Sequence, residues 1–144
     1  MTKAKGFKFS DKHRAQDTPE PAVENEIVKR SKTEEIPCAV AFEIVKAIQV
    51  SPAEVGKTID LMNYKLVKCQ LGLFGYKPKK KIVMPQDSIN QELQQAIQAA
   101  LVNGQLSCDR AWQIADRHHV RKMTVSSACE AMAIKIKPCQ LGAF

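Results

Sequence analysis

Apolar residues along this chain switch spacing from helical to alternating, and the switch happens twice. Val40, Phe42, Ile44, Val45 and Ile48 predict a short helix, Val50 and Ser51 mark a turn, and Val55, Ile59 and Met62 give the inner face of a second helix. The segment "NYKLVK", residues 63 to 68, then alternates apolar with polar, the period of a short half-buried strand. Further on, Ala111, Trp112, Ile114 and Ala115, then Val120, then Val125, Cys129 and Met132 repeat the helical pattern, and "AIKIKP" (133 to 138) repeats the alternation. A two-helix unit needs another helix to bury its inner face. Residues 86 to 104, "QDSINQELQQAIQAALVNG", predict one, with Ser88 as cap, Gln91 at the capping-box position, Ile89, Leu93, Ile97 and Leu101 as a stripe, and Gly104 as the stop. Pro21 to Lys29 supplies the equivalent for the first pattern through Val23, Ile27 and Val28.

The recurrence is a duplication. Residues 36 to 74 align with 106 to 144 at a constant offset of 70, without insertion, and twelve pairs are identical. These include Cys38/Cys108, Ile44/Ile114, Val55/Val125, Met62/Met132, and the closing "CQLG" at 69 to 72 and 139 to 142. The two copies are therefore expected to share one local fold, related by an approximate two-fold axis or a translation. The predicted organisation is an unordered polar tail over 1–20, a first repeat over 21–74, a basic linker or wing over 75–85, and a second repeat with its leading helix over 86–144.

"VKAIQVSPAEVGKTI" (45 to 59) and "ADRHHVRKMTVSSAC" (115 to 129) resemble helix-turn-helix units. Each has an apolar residue after the turn (Val50, Val120) and inward apolar residues on the second helix (Val55 and Ile59; Val125 and Cys129). The turn position that often holds Gly is occupied by Gln49 and His119, of which histidine is the more tolerant of positive φ. The resemblance implies a mainly α fold of two duplicated helix-turn-helix units, each followed by a short β-strand in a winged-helix-like manner with pseudo-two-fold symmetry. It also implies a small double-stranded-DNA-binding protein, a transcriptional regulator. An interaction module on the same scaffold and a cysteine-based metal or redox sensor are the alternatives.

Charge distinguishes the copies. The net charge of +7 divides as +1 over residues 1–35, +1 over 36–74, +2 over 75–105 and +3 over 106–144, so the most basic part is the second copy. At the start of the second helix, where such units approach base edges and phosphates, copy two offers Arg121, Lys122, Thr124, Ser126 and Ser127. Copy one offers Pro52, Ala53, Glu54, Gly56, Lys57 and Asp60, whose carboxylates repel phosphate. Copy two is thus expected to contact DNA and copy one to act as scaffold or homodimer surface, with Lys57 at most a phosphate contact. Lys79, Lys80 and Lys81 in "GYKPKKKIVMP" are expected to touch the DNA backbone if this segment is a wing. Gly56-Lys57-Thr58 echoes a phosphate-binding loop, but Ser51 stands where the other glycine belongs, Pro52 has no N–H, and Ser51, Pro52 and Glu54 read as a helix start.

Five cysteines and no apolar leader predict reduced thiols in a cytoplasmic protein, with no run long enough for a membrane span. Cys38, Cys69, Cys108 and Cys139 are the candidate thiol ligands, although no C-x2-C pair pre-arranges them and core packing is the simpler use. His118 and His119 are adjacent and cannot form an i, i+4 metal pair. No nucleophile–base set, glycine-rich loop after a strand or paired carboxylates stands at a working spacing, so neither an enzyme nor a cofactor is expected. The glycine of "CQLG" is expected to close a turn where backbone approaches closely, with Gln70 and Gln140 satisfying that backbone.

Overall fold

The computed structural model describes residues 9–14 and 16–144. The chain is mainly helical with short strands, and it divides into two compact units, Met1–Val67 and Lys68–Phe144. In the first unit a 3-10 turn, Phe9–Lys12, precedes α1 (Pro21–Arg30), β1 (Glu35–Pro37), α2 (Cys38–Ile48), α3 (Pro52–Leu61) and β2 (Lys65–Val67). The second contains α4 (Gln91–Ala99), β3 (Gln105–Leu106), α5 (Cys108–Arg117), α6 (Lys122–Ala131) and β4 (Lys135–Ile136).

Each of the last five elements starts 70 residues after its counterpart, from Pro21 and Gln91 to Lys65 and Lys135. The structural repeat therefore begins before residue 36 and takes in the leading helices, where Ile27 and Ile97 are the surviving identity and both are fully buried. Burial alone constrains those helices, so their sequences drifted while one apolar stripe stayed.

Local chemistry sets the boundaries. Ser51 Oγ accepts from Glu54 N at 3.1 Å with Pro52 at the first helical position, so the apparent phosphate loop is a capped helix start. Ser107 caps α5 in the same way through Arg110 N. The leading helix of the second unit is shorter than the 86–104 expected. Asn90, not Ser88, is its cap, its side chain accepting from Leu93 N, and this register puts Leu93 and Ile97 inward. It ends at Ala99, before Gly104, because the chain reverses at Asn103 and Gly104, both at positive φ, with Val102 and Gln105 exchanging backbone hydrogen bonds. On α1, Val23 and Ile27 are buried as expected, but Val28 is 54% exposed, being on the wrong side of the stripe.

One strand per copy was legible and two are present. β1 pairs with β2 in parallel (Ile36 opposite Leu66) and β3 with β4 (Leu106 opposite Ile136), so each helix pair is the crossover between its own strands. At two or three residues, β1 and β3 are too short to show a period. Among the described residues no antiparallel hairpin follows β2 or β4, so the wing expected at 75–85 is not a strand pair. Nor are the described residues of the N-terminal tail without structure. Phe9–Lys12 forms its turn against α3, and Lys12 and His13 both reach Asp60, at 3.0 and 2.9 Å.

The turn between the helices holds Gln49 at φ 53° and His119 at φ 56°, the left-handed conformation that the helix-turn-helix pattern usually gives to glycine. The residues after α3 and α6 are left-handed too, Asn63 at φ 58° and Ala133 at φ 56°. Asparagine suits that region and alanine does not. Ala133→Asn is therefore expected to stabilise the second unit by about 0.5 kcal/mol, a rise of about 2–4 °C in Tm. A calorimetric scan showing no rise would reject strain at that position.

Candidate nucleic-acid interface

The charge imbalance is sharper by unit than by sequence segment. Residues 68–144 carry eleven Lys and Arg against five Asp and Glu, a net +6, whereas residues 1–67 carry eleven against ten, a net +1.

Of the eleven Lys and Arg of the second unit, Lys81 is ion-paired among the described residues, and four of the others are exposed on one loop and one helix cap. Lys77, Lys79 and Lys80 are exposed on a loop whose neck is closed by Tyr76 N to Lys80 O at 3.4 Å. Both stems of this loop are fastened. The Tyr76 hydroxyl donates to Cys69 O at 2.6 Å, and on the far side Ile82 N and Val83 N both donate to Gly72 O. The loop is thus a fixed basic projection although it contains no strand. Arg121, the fourth cation, is exposed at the N-cap of α6. Next to it Lys122 places Nζ 4.7 Å from the centre of the Trp112 ring, a cation–π contact that limits its reach.

Between α5 and the first turn of α6 lies an open cavity of about 400 Å³, lined by Gln70, Trp112, Asp116, Val120, Arg121 and Lys122. Val120, the apolar residue after the turn, is 36% exposed at its rim.

The rest of the expected reading face is not available. Ser126 is fully buried and its hydroxyl has no hydrogen-bond partner, so it cannot touch DNA; it lies on the core side with Val125 and Cys129. Thr124 and Ser127 are on the outer side, but residues 84–86 lie over them. The Ser127 hydroxyl donates to Met84 O, Gln86 N donates to Ser127 O at 3.3 Å, and Gln86 Nε2 donates to Thr124 O at 3.1 Å. Lys81 is engaged by Glu130, and Lys57 in the first unit by Asp17 at 3.4 Å. Of the nine cationic or hydroxyl residues expected at the interface, Arg121, Lys79 and Lys80 are open and Lys122 is half open, and Lys77 on the same loop is exposed as well.

Comparison with family models, curated proteins and solved structures finds no match.

The repeated "CQLG" segments are tight turns. Gly72 N donates to Cys69 O and Gly142 N to Cys139 O, while Cys69 N and Cys139 N are bonded to Phe74 O and Phe144 O five residues on. Gly72 has φ 75°, and a Cβ there would stand 2.9 Å from Met123 Cε and 3.3 Å from both Ile82 and Val83. The close neighbours of Gly72 are thus side chains of α6 and of the chain after the basic loop, not the backbone that was expected, and at Gly142 nothing comes within 4 Å. Phe74 and Phe144 meet edge to face at 5.8 Å, so the turns of both copies share the second unit. Gln140 serves a different partner from the one expected: its Nε2 points to Cys108 Sγ at 3.5 Å and not to backbone.

Cys38, Cys69, Cys108 and Cys129 are buried and Cys139 is partly exposed. Among the described residues no group of three or more Cys, His, Asp or Glu could hold a metal ion. Burial pushes the Cys69 thiol up, Cys108 up to about 11 and Cys129 up to about 12. Near neutral pH these are therefore inert protonated thiols that fill the core. A thiol-specific chromogen at pH 8 is expected to label Cys139 first and the others only on unfolding. Raised thiol values mean that the stability they lend is complete below the ordinary thiol range and is lost as pH rises through 11 to 12. Equal labelling rates for all five would overturn the assignment.

No helix of the described residues is long and apolar enough to cross a membrane.

Proposed function

We propose that the second unit binds double-stranded DNA, with the α5–α6 pair acting as a helix-turn-helix whose first turn approaches the groove while the Lys77–Lys80 loop holds phosphates. On this reading the chain is a small transcriptional regulator and the first unit is a scaffold. The observation that carries it is the concentration of +6 of the net +7 in the second unit, with four exposed cations held on a fastened loop and a helix cap. Helix-turn-helix proteins make base contacts mainly from the N-terminal residues of the second helix, and Arg121 at the N-cap of α6 is open there. The left-handed residue in the inter-helix turn, His119, supports the same reading.

The test is anisotropy of a labelled duplex of mixed sequence at low salt. Arg121→Ala is expected to weaken binding roughly fivefold. Ser126→Ala is expected to leave affinity unchanged and to stabilise the unit by about 1 kcal/mol, because it removes a buried hydroxyl with no partner. A wild-type protein that leaves the duplex free at about 50 mM salt would end the proposal.

A further inference from the structure

The outer stripe of α6 is covered by the chain that leads into its own unit. Positions 124, 127 and 130 are three apart and face one way, while Val125, Ser126, Ala128 and Cys129 turn into the core. Residues 81–86 run along that stripe with four ties: the Lys81 ammonium to Glu130, the Ser127 hydroxyl to Met84 O, and Gln86 to both Ser127 O and Thr124 O. The first unit has a cover in the matching place. There the stripe is 54, 57 and 60, and it is reached by Asp17 on Lys57 and by Lys12 and His13 on Asp60. Ser10 N adds a bond to Asn63 Oδ1 at 3.1 Å. Subtracting 70 from 81–86 gives 11–16, which overlaps the first cover, although its ties come from 12, 13 and 17 and not from 11, 14 and 16. The stretch is shared and the bonds are not, which points to covering as the common property.

In the second unit the cover is lightly held. Val83 is its buried apolar side chain, whereas Ile82 is 38% and Met84 70% exposed. Residues 84–86 stay down through polar ties and could lift without dismantling the core.

We infer that residues 81–86 are an intramolecular strap that closes the reading face of α6 and confines the resting protein to backbone contact with DNA. Lifting the strap uncovers Thr124 and Ser127 beside Arg121 and Lys122, restoring the run of donors along the helix that base readout requires. The inference rests on the DNA-binding reading above.

The variant Gln86→Ala removes one side-chain tie without changing charge and leaves both hydroxyls of α6 in place. Losing one such bond shifts an equilibrium roughly fivefold, so the lifted population is expected to rise roughly fivefold. Two readings follow, taken on the full chain: faster amide exchange over residues 124–131, and duplex affinity at least threefold tighter than wild type at equal salt. Lys81→Gln gives an independent check by sign. Loss of a cation from a merely solubilising segment weakens binding, whereas loss of the Glu130 tie from a strap strengthens it.

Faster exchange with unchanged or weaker binding overturns the strap as a cover, as does unchanged exchange. Wild-type binding without any gain rejects the strap alone. No binding by wild type or variant rejects the DNA reading, and the inhibitory role with it.

Discussion

Leu71→Ala is expected to destabilise the second unit by about 3 kcal/mol, although position 71 belongs to the first sequence repeat. Leu71 is fully buried in a cluster with Leu93, Ile97, Leu106, Ile114 and Val125, all in the second unit. Truncation removes the transfer energy of the side chain and leaves a cavity that its neighbours cannot close, because the turn around it is fastened by Gly72 N to Cys69 O and by the Tyr76 hydroxyl. Exchange protection should fall over residues 93–136 and persist in α1 to α3. Its counterpart Leu141→Ala should behave similarly, since Leu141 is 3% exposed in the same unit. Loss confined to residues 21–67 would mean that the boundary after Val67 is misplaced.

Duplex affinity is expected to fall roughly 150-fold between about 50 and 200 mM salt. The four exposed cations of the loop and helix cap, Lys77, Lys79, Lys80 and Arg121, release counterions from four phosphates, giving a slope of about −3.6 in log affinity against log salt. Replacing the three loop lysines with alanine should bring the slope to about −0.9, so that the same change in salt costs roughly fourfold. Lys57→Ala and Lys81→Ala should leave the slope nearly unchanged, because Asp17 and Glu130 already neutralise those ammonium groups. A wild-type slope near zero would show that the net +6 does not meet phosphate. A steep slope that the loop variant does not alter would transfer the contact to other cations of the unit, such as Lys135 and Arg117.

Several features were readable from residue order because they depend on neighbours in sequence. Ser51, Pro52 and Glu54 start a helix by local hydrogen bonding and a preset φ, and Val55 and Ile59 repeat at the helical period, so these elements lie where the pattern put them. The constant offset of 70 held through five elements because a repeat without gaps keeps one local pattern. Four of the five thiols too were legible as core, cysteine being among the residues most often buried, whereas Cys139 is partly exposed.

What escaped was everything set by distant chain. Arg121 and Ser126 are five positions apart on polar residues, and nothing local says that one is exposed and the other sealed under the α6 core side. The strand pairs β1–β2 and β3–β4 join residues about thirty apart, and two or three residues give no period to detect. The covering of Thr124 and Ser127 by residues 84–86 depends on hydrogen bonds to backbone carbonyls, which every residue possesses and no residue type advertises. Composition and period determined which segments of this protein are helical and where its positive charge is concentrated. Which of those charges and hydroxyls meet solvent was decided only when distant backbone groups, indifferent to residue type, found one another in the folded chain.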